Sequence, residues 1–195
     1  MNSSLFISFL LLGGVALALV GCKTSRSGYE SAPYSVVESD KPFELRDYPE
    51  LTIVETPMSE KGSDENAGFR KLFGYITGKN EANKNIAMTT PVLISGGKST
   101  MSFVMPSDSS TKGVPSPLDP ALSIKKIPAG RFAVVRFSGG RSASRESEKL
   151  ALLRSWIASK GLIAAGEPVY GYFDPPWTLP FLRRNEVMLR VETKR

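Results

Sequence analysis

FELRDYPELTIVETP at residues 43–57 and LSIKKIPAGRFAVVRFSG at residues 122–139 share one plan. Each sets a short extended run before a proline, Pro49 or Pro128. A second apolar run comes after it: Leu51, Ile53 and Val54 in the first copy, Phe132, Val134, Val135 and Phe137 in the second. Proline fixes φ and donates no hydrogen bond, so each copy reads as two strands parted by a break, and a hairpin is predicted in both places.

The segment after each copy repeats as well. Phe69, Leu72, Phe73 and Ile76 fall at i, i+3, i+4 and i+7, the stripe of an amphipathic helix, with Ser63 or Asp64 as its N-cap and Gly78 as its stop. Leu150, Leu153, Trp156 and Ile157 give a second helix after SASRESE, closed by Gly161. Two extended stretches then come in each half, IAMTTPVLI and TMSFVMP in one, EPVYGYF and NEVMLRVE in the other. The unit is ββαββ, used twice, at residues 34–107 and 120–193. One helix cannot cover four strands alone. The two units are therefore expected to pair about a pseudo-two-fold axis into a single α+β domain, residues 34–193, shaped as a distorted β-barrel of two halves. SDSSTKGVPSPLDP, residues 107–120, reads as a polar connector outside the core, and GGKST, residues 96–100, as a hairpin turn. The latter ends like a phosphate loop, but Val92 stands where that loop needs its first glycine.

The 195 residues carry 25 Lys and Arg against 19 Asp and Glu, a formal charge of +6, one cysteine and no histidine. The basic residues are scattered without a run of five, so nucleic acid is not the expected partner. Residues 5–20, LFISFLLLGGVALALV, carry no charge and are apolar but for Ser8, the length of a signal-peptide core and short of the roughly 20 residues of a spanning helix. They end in LVGC, which resembles a lipobox, although MNSS brings no Lys or Arg ahead of it. The expectation is a lipoprotein signal peptide over residues 1–21, acylation of Cys22, a polar tether over residues 22–33, and a domain held by its lipid anchor to a membrane of the cell envelope, facing the periplasm or the exterior. Without histidine, no Ser-His-Asp or Cys-His pair and no zinc site of the usual histidine type can be built, so the chain is read as non-enzymatic.

GFRKLFGYITGKN, then NIAMTTPV, then FVMP, and finally YFDPPWTLPFLRRNEVMLRV are similar in order and spacing to the SOUL haem-binding family, over residues 34–192. The same architecture is similar to the effector-binding domains of bacterial multidrug-sensing regulators. The resemblance implies a distorted barrel of two pseudo-symmetric halves and binding of haem or a related tetrapyrrole in a shallow apolar groove beside the first helix. Matched to the family, Phe69 and Phe73 fall where helix residues face ligand; Leu72, on the same stripe, is taken as a further candidate contact, and all three read also as core.

A tetrapyrrole is a flat apolar plate with carboxylates on one edge, so its site needs an apolar floor and a cation at the rim. Pro175, Pro176 and Pro180 stiffen a loop in which Phe181 is placed to lie over the plate, with Arg183 or Arg184 to meet a carboxylate. Successive strand residues point to opposite faces, so one arginine only is expected in the groove. The same residues, with Trp177, Val187 and Leu189, read equally as core and as an internal salt-bridge set. With no histidine, iron ligation would fall to Tyr48, Tyr75, Tyr170, Tyr172, Met88 or Met188, none of them marked by spacing. Binding without an evident axial ligand is the expectation. The alternative keeps the fold and gives the groove another amphipathic small molecule, or the surface a protein partner. Oligomeric state is not legible.

Overall fold

The computed structural model describes residues 28–58, 66–95 and 97–193; the signal-peptide segment, the lipobox cysteine, the first half of the tether and the expected caps Ser63 and Asp64 lie outside them. In chain order the elements are β1 (Glu30–Ser31), β2 (Ser35–Asp40), β3 (Phe43–Tyr48), β4 (Leu51–Pro57), α1 (Ala67–Ile76), β5 (Thr89–Thr90), β6 (Val92–Ser95), β7 (Thr100–Val104), α2 (Ser107–Lys112), β8 (Ser123–Ile127), β9 (Gly130–Phe137), α3 (Ala143–Ser159), β10 (Leu162–Tyr172) and β11 (Asn185–Thr193). A 3-10 turn spans Pro180–Leu182.

The proline breaks are corners, not hairpin turns. β3 and β4 do not pair with each other, nor do β8 and β9; each pair exchanges partners with the other. β3 runs antiparallel to β9 from Phe43↔Val135 to Tyr48↔Gly130, and the same register continues past both prolines into β4 and β8, from Leu51↔Ile127 to Glu55↔Ser123. Two bent strands thus travel side by side and turn the corner together. A hairpin and a corner share the same apolar-proline-apolar pattern, which is why the sequence reads as the former.

This exchange sets the order of the nine-stranded sheet, β2-β3-β9-β11-β10-β6-β7-β4-β8. From the centre outward, β10 and β6 are the third strands of the two repeats, β11 and β7 the fourth, β9 and β4 the second, and β3 and β8 the first, each lying in the other half. The ββαββ plan is present twice, but the barrel does not close: among the described residues no ladder joins the end strands β2 and β8. Their sequences, SVVESD and SIKKI, are polar and largely exposed, which protects free edges. The covalent corners at Pro49 and Pro128 connect the two ends instead.

Alternating side chains divide the apolar residues between two cores. Val187, Leu189 and Val191 of β11 join Ala133 and Val135 of β9 and Val54 of β4 beneath the helices, where Leu72, Tyr75 and Ile76 of α1 meet Leu153, Trp156 and Ile157 of α3. Leu51, Ile53, Leu93, Val134 and Met188 form a second cluster on the opposite, helix-free face. β9 is covered on both sides, hence its unbroken FAVV run. The connector differs from expectation. It contains α2, and Pro115 and Ser116 dock on the end of α1, with the Tyr75 hydroxyl donating to the Pro115 carbonyl at 2.8 Å. A buried phenol has to find an acceptor, and this loop supplies one.

Candidate functional site

The GFRKLFGYI stretch forms α1 because its apolar residues cover one side of the helix, and the core takes only part of that side. Gly68, Leu72, Tyr75 and Ile76 are buried, while Phe69 and Phe73 stand on the shoulder, 37% and 47% exposed. The two rings stack with centroids 5.9 Å apart and planes 13° from parallel. Phe69 in turn sets its edge against Phe103 of β7, 5.4 Å away. A buried ring therefore fixes the first exposed ring, and the first fixes the second. The base of the helix is held as firmly: Asn80 is fully buried and its amide donates to the carbonyls of Tyr75 at 2.9 Å and Lys84 at 2.7 Å. The result is a rigid, flat, apolar shelf at the surface.

Leu72 does not belong to that shelf. It is wholly buried, because the stripe that the spacing predicts is rotated so that Gly68 and Tyr75 share the core side with it. Arg70 is the residue that sequence reasoning passed over: it is exposed and precedes Phe73 by three positions, so both lie on the same outer side of α1. Helical spacing alone would have picked it out.

The twin arginines go elsewhere. Arg184 turns to the helix-free face, its guanidinium 3.9 Å over the Phe173 ring, donating to Glu186 at 2.6 and 2.8 Å and to the Tyr34 hydroxyl at 3.3 Å. Glu186 is fully buried and also receives Arg46 through two bonds, at 2.8 and 3.0 Å. Burial alone would lower the pKa of Arg46, but its bonds to Glu186 and the charge there outweigh this and leave it raised. Arg184 is thus an internal ion-pair partner. Arg183 folds back on its own loop, donating from Nε to the Thr178 carbonyl at 2.7 Å and from Nη2 to that of Pro176. Phe181, 69% exposed, rides on the 3-10 turn of the same loop, and among the described residues no ring contact joins it to α1.

The helix-free face carries an apolar cavity of about 60 Å³ lined by Tyr34, Tyr48, Leu93, Phe132, Phe173 and Met188 among others. Sites for drug-sized ligands run to about 300–1,000 Å³, so this volume does not admit a porphyrin plate. A wider groove of about 420 Å³ continues from it past Phe132 and Val169, bordered by the Lys125–Glu55 ion pair at 2.5 Å, Glu167 and Arg190.

Three of the phenols available to ligate iron are already engaged. Tyr48 accepts from Arg46 and donates toward the Met188 sulfur, Tyr75 donates to Pro115, and Tyr172 donates to Glu146 at 2.6 Å. Burial pushes Tyr48 and Tyr75 up to about 12, and burial together with the Glu146 bond holds Tyr172 higher than an ordinary phenol. Tyr170 is likewise raised by burial. A phenolate ligand needs the opposite shift. Among the described residues, none of these four phenols is disposed to give a metal a phenolate ligand.

The model of the SOUL heme-binding protein family matches residues 29–190, nearly every described residue. The chain belongs to that family. Heme-binding protein 2 of Homo sapiens is 31% identical over 160 residues, 75% of this chain and 77% of the human protein. Heme-binding protein 2 of Mus musculus is 29% identical over 171 residues, 81% of this chain and 82% of its own. Among solved structures, the EcmrR C-terminal domain superposes with a TM-score of 0.53 at 14% identity, covering 83% of this chain and 99% of that one. A Listeria innocua protein described as a hydrolase gives 0.56 at 11% identity, covering 80% and 94%. At such identities these last two show a shared fold and no shared chemistry.

Proposed function

We propose that this chain binds haem or a related tetrapyrrole without catalysing a reaction on it, on the α1 shelf of Phe69 and Phe73. The observation that carries this reading is the pre-stacked, half-exposed phenylalanine pair in a chain of a heme-binding family. Two rings already ordered bind a flat apolar face without the loss of side-chain freedom that mobile ones suffer. Tetrapyrrole would be held by apolar packing, since the chain has no histidine and its buried tyrosines resist ionisation. We further propose that acylated Cys22 ties the domain to an envelope membrane, as the LVGC sequence indicates.

The test is a titration with haemin and, in parallel, metal-free protoporphyrin, monitored by absorbance. Saturable one-to-one binding of both with similar affinity supports the reading, and Phe69→Ala with Phe73→Ala should then weaken both alike. Saturable binding of neither removes the tetrapyrrole function. In that case the apolar cavity below Phe132 favours the second reading, a smaller amphipathic ligand on the helix-free face.

A further inference from the structure

The loop between β10 and β11 exposes more apolar surface than core packing can explain. Trp177 is 81% exposed, Phe181 69%, Leu179 55% and Leu182 46%, all within six residues. Exposed apolar side chains usually occur singly; contiguous ones mark a surface that something covers. Nor is this a loop whose side chains merely failed to find a place. Phe173 N donates to the Arg184 carbonyl at 3.2 Å and Arg184 N to the Asp174 carboxylate at 2.6 Å, closing the neck. Thr178 N reaches Pro175 O at 3.0 Å, Leu182 N reaches Leu179 O at 2.9 Å, and Gly139 N donates to Pro180 O at 2.8 Å. Arg183 ties the carbonyls of Pro176 and Thr178 together from within. The polar backbone is bonded inward, and the four apolar side chains are presented outward on a frame with three prolines.

Two further observations say what covers it. The first is where the chain enters the domain. β1 pairs with β5, Ala32 N donates to Thr90 O, and Val92, two residues on, faces Tyr172, which ends β10 at the root of the loop. Tyr34 also receives Arg184 from the other root. The N-terminal segment therefore arrives at the end of the sheet from which the loop projects. Only six residue steps separate Cys22 from Gly28, a reach of about 20 Å at full extension. The second observation is charge. Arg183 and Arg145 direct hydrogen bonds to main-chain carbonyls, and Arg141 lies over the Tyr172 ring with Glu146 3.9 Å from its Nε, so three guanidiniums and one carboxylate flank the loop on a chain of net charge +6.

We infer that the Trp177–Leu182 loop inserts into the interfacial layer of an anionic membrane, with the surrounding arginines against the headgroups. Tryptophan is favoured at that depth, and rigid apolar residues framed by basic ones suit a surface contact rather than a span. Among the described residues no helix is long and apolar enough to cross a membrane. The inference rests in part on the membrane anchorage proposed above. One anchor leaves a domain free to swivel, and the loop would fix its orientation.

The test uses the full chain mixed with vesicles of phosphatidylethanolamine and phosphatidylglycerol, with and without bromine-labelled phosphatidylcholine, and Trp177→Ala as the reference that isolates the Trp177 signal. Flotation of the wild type against Cys22→Ala reads the anchor separately. Insertion predicts a blue-shifted Trp177 component that brominated lipid quenches, lost when Leu179 and Phe181 are both changed to Asp. A chain that floats while its Trp177 remains quenched only from the aqueous side overturns the loop proposal and leaves the anchor standing. A chain that does not float but is quenched at excess vesicle supports the loop and removes the anchor. Quenching by one equivalent of haemin in vesicle-free buffer, with none by brominated lipid, would make the loop part of the tetrapyrrole site instead and overturn the proposal.

Discussion

The Glu186 carboxylate and the Arg46 guanidinium, 140 residues apart in sequence, meet through two hydrogen bonds in a site with almost no solvent. Because Arg184 shares the same carboxylate, the three charges are not equivalent. Glu186→Leu leaves Arg46 with Glu44 alone, 2.7 Å from its Nε, and takes the carboxylate from Arg184, whereas Arg46→Met leaves Glu186 still paired. Urea denaturation should find Glu186→Leu the more damaging, by about 3–5 kcal/mol relative to the parent, with Arg46→Met clearly milder. Equal losses from the two would mean that Arg184 contributes nothing to holding Glu186.

Phe69 and Leu72 sit one turn apart on α1 and should respond in opposite ways. Leu72→Ala opens a cavity in the core and should cost about 2–5 kcal/mol of stability. Phe69→Ala and Phe73→Ala, on the exposed shoulder, should change stability far less and tetrapyrrole affinity far more. Paired denaturation and absorbance titrations of the three variants separate the roles. An affinity loss for Leu72→Ala at full stability would move the site inward.

Alkaline pH should attack this fold through its phenols. Tyr48 and Tyr75 ionise at about 12 in the folded chain against an ordinary 10.0, chiefly because burial disfavours the phenolate. A raised pKa means that the folded state holds its proton more tightly, so this contribution is whole below pH 10 and is lost as pH rises from 10 through 12. Two pKa units are on the order of 2–3 kcal/mol for each group. Denaturation midpoints at pH 9, 10 and 11 should fall only across the last interval, and less steeply in Tyr75→Phe. For the same reason, the absorbance of bound haemin should show no phenolate band up to pH 9.

The ββαββ repeat, both helices and the family were legible because each rests on local spacing: i, i+3, i+4 stripes and a glycine after each helix, with Gly78 at φ 108° and Gly161 at φ 67°. The GGKST turn was legible for the same reason, and Lys98 and Gly97 there have positive φ. The illegible part is long-range. Nothing near Pro49 says that the strand before it pairs with β9 and the strand after it with β8, since a hairpin and a shared corner differ only in the distant partner. The same limit governed the arginines. Strand alternation put one of Arg183 and Arg184 in the groove, but both precede β11, and the acceptors that claim them, the Thr178 carbonyl within the loop and a glutamate buried against β3, are fixed by tertiary packing. On α1, the stripe rule named Phe69, Leu72, Phe73 and Ile76 as one set. Only the position of Phe103 and of the sheet beneath decides which of the four the core takes, and it takes Leu72 and Ile76.

The corner at Pro128 offers the sharpest test of the exchanged strands. Arg190 of β11 donates to the carbonyls of Pro128 at 2.6 Å and Ala129 at 3.1 Å, with its guanidinium 4.7 Å over the Phe132 ring. Those bonds pin the bend to the middle of the sheet, and they need the space beside residue 130. A Cβ on Gly130 would stand 1.8 Å from Arg190 Nη1 and 2.8 Å from its Cζ, so any side chain there must displace the guanidinium. The backbone is not the obstacle, since Gly130 sits within a strand and outside the set of positive-φ glycines. Gly130→Ala should therefore be destabilising in the parent, by about 1–3 kcal/mol from lost bonds and displacement. In an Arg190→Ala background the same change should cost little, because nothing charged remains to move and alanine suits an extended residue at least as well as glycine. A double-mutant cycle by urea denaturation should return a coupling of about 1–2 kcal/mol. Additive losses would show that the glycine serves some other end, and the corner would then have to be held by the β3–β9 and β4–β8 ladders alone.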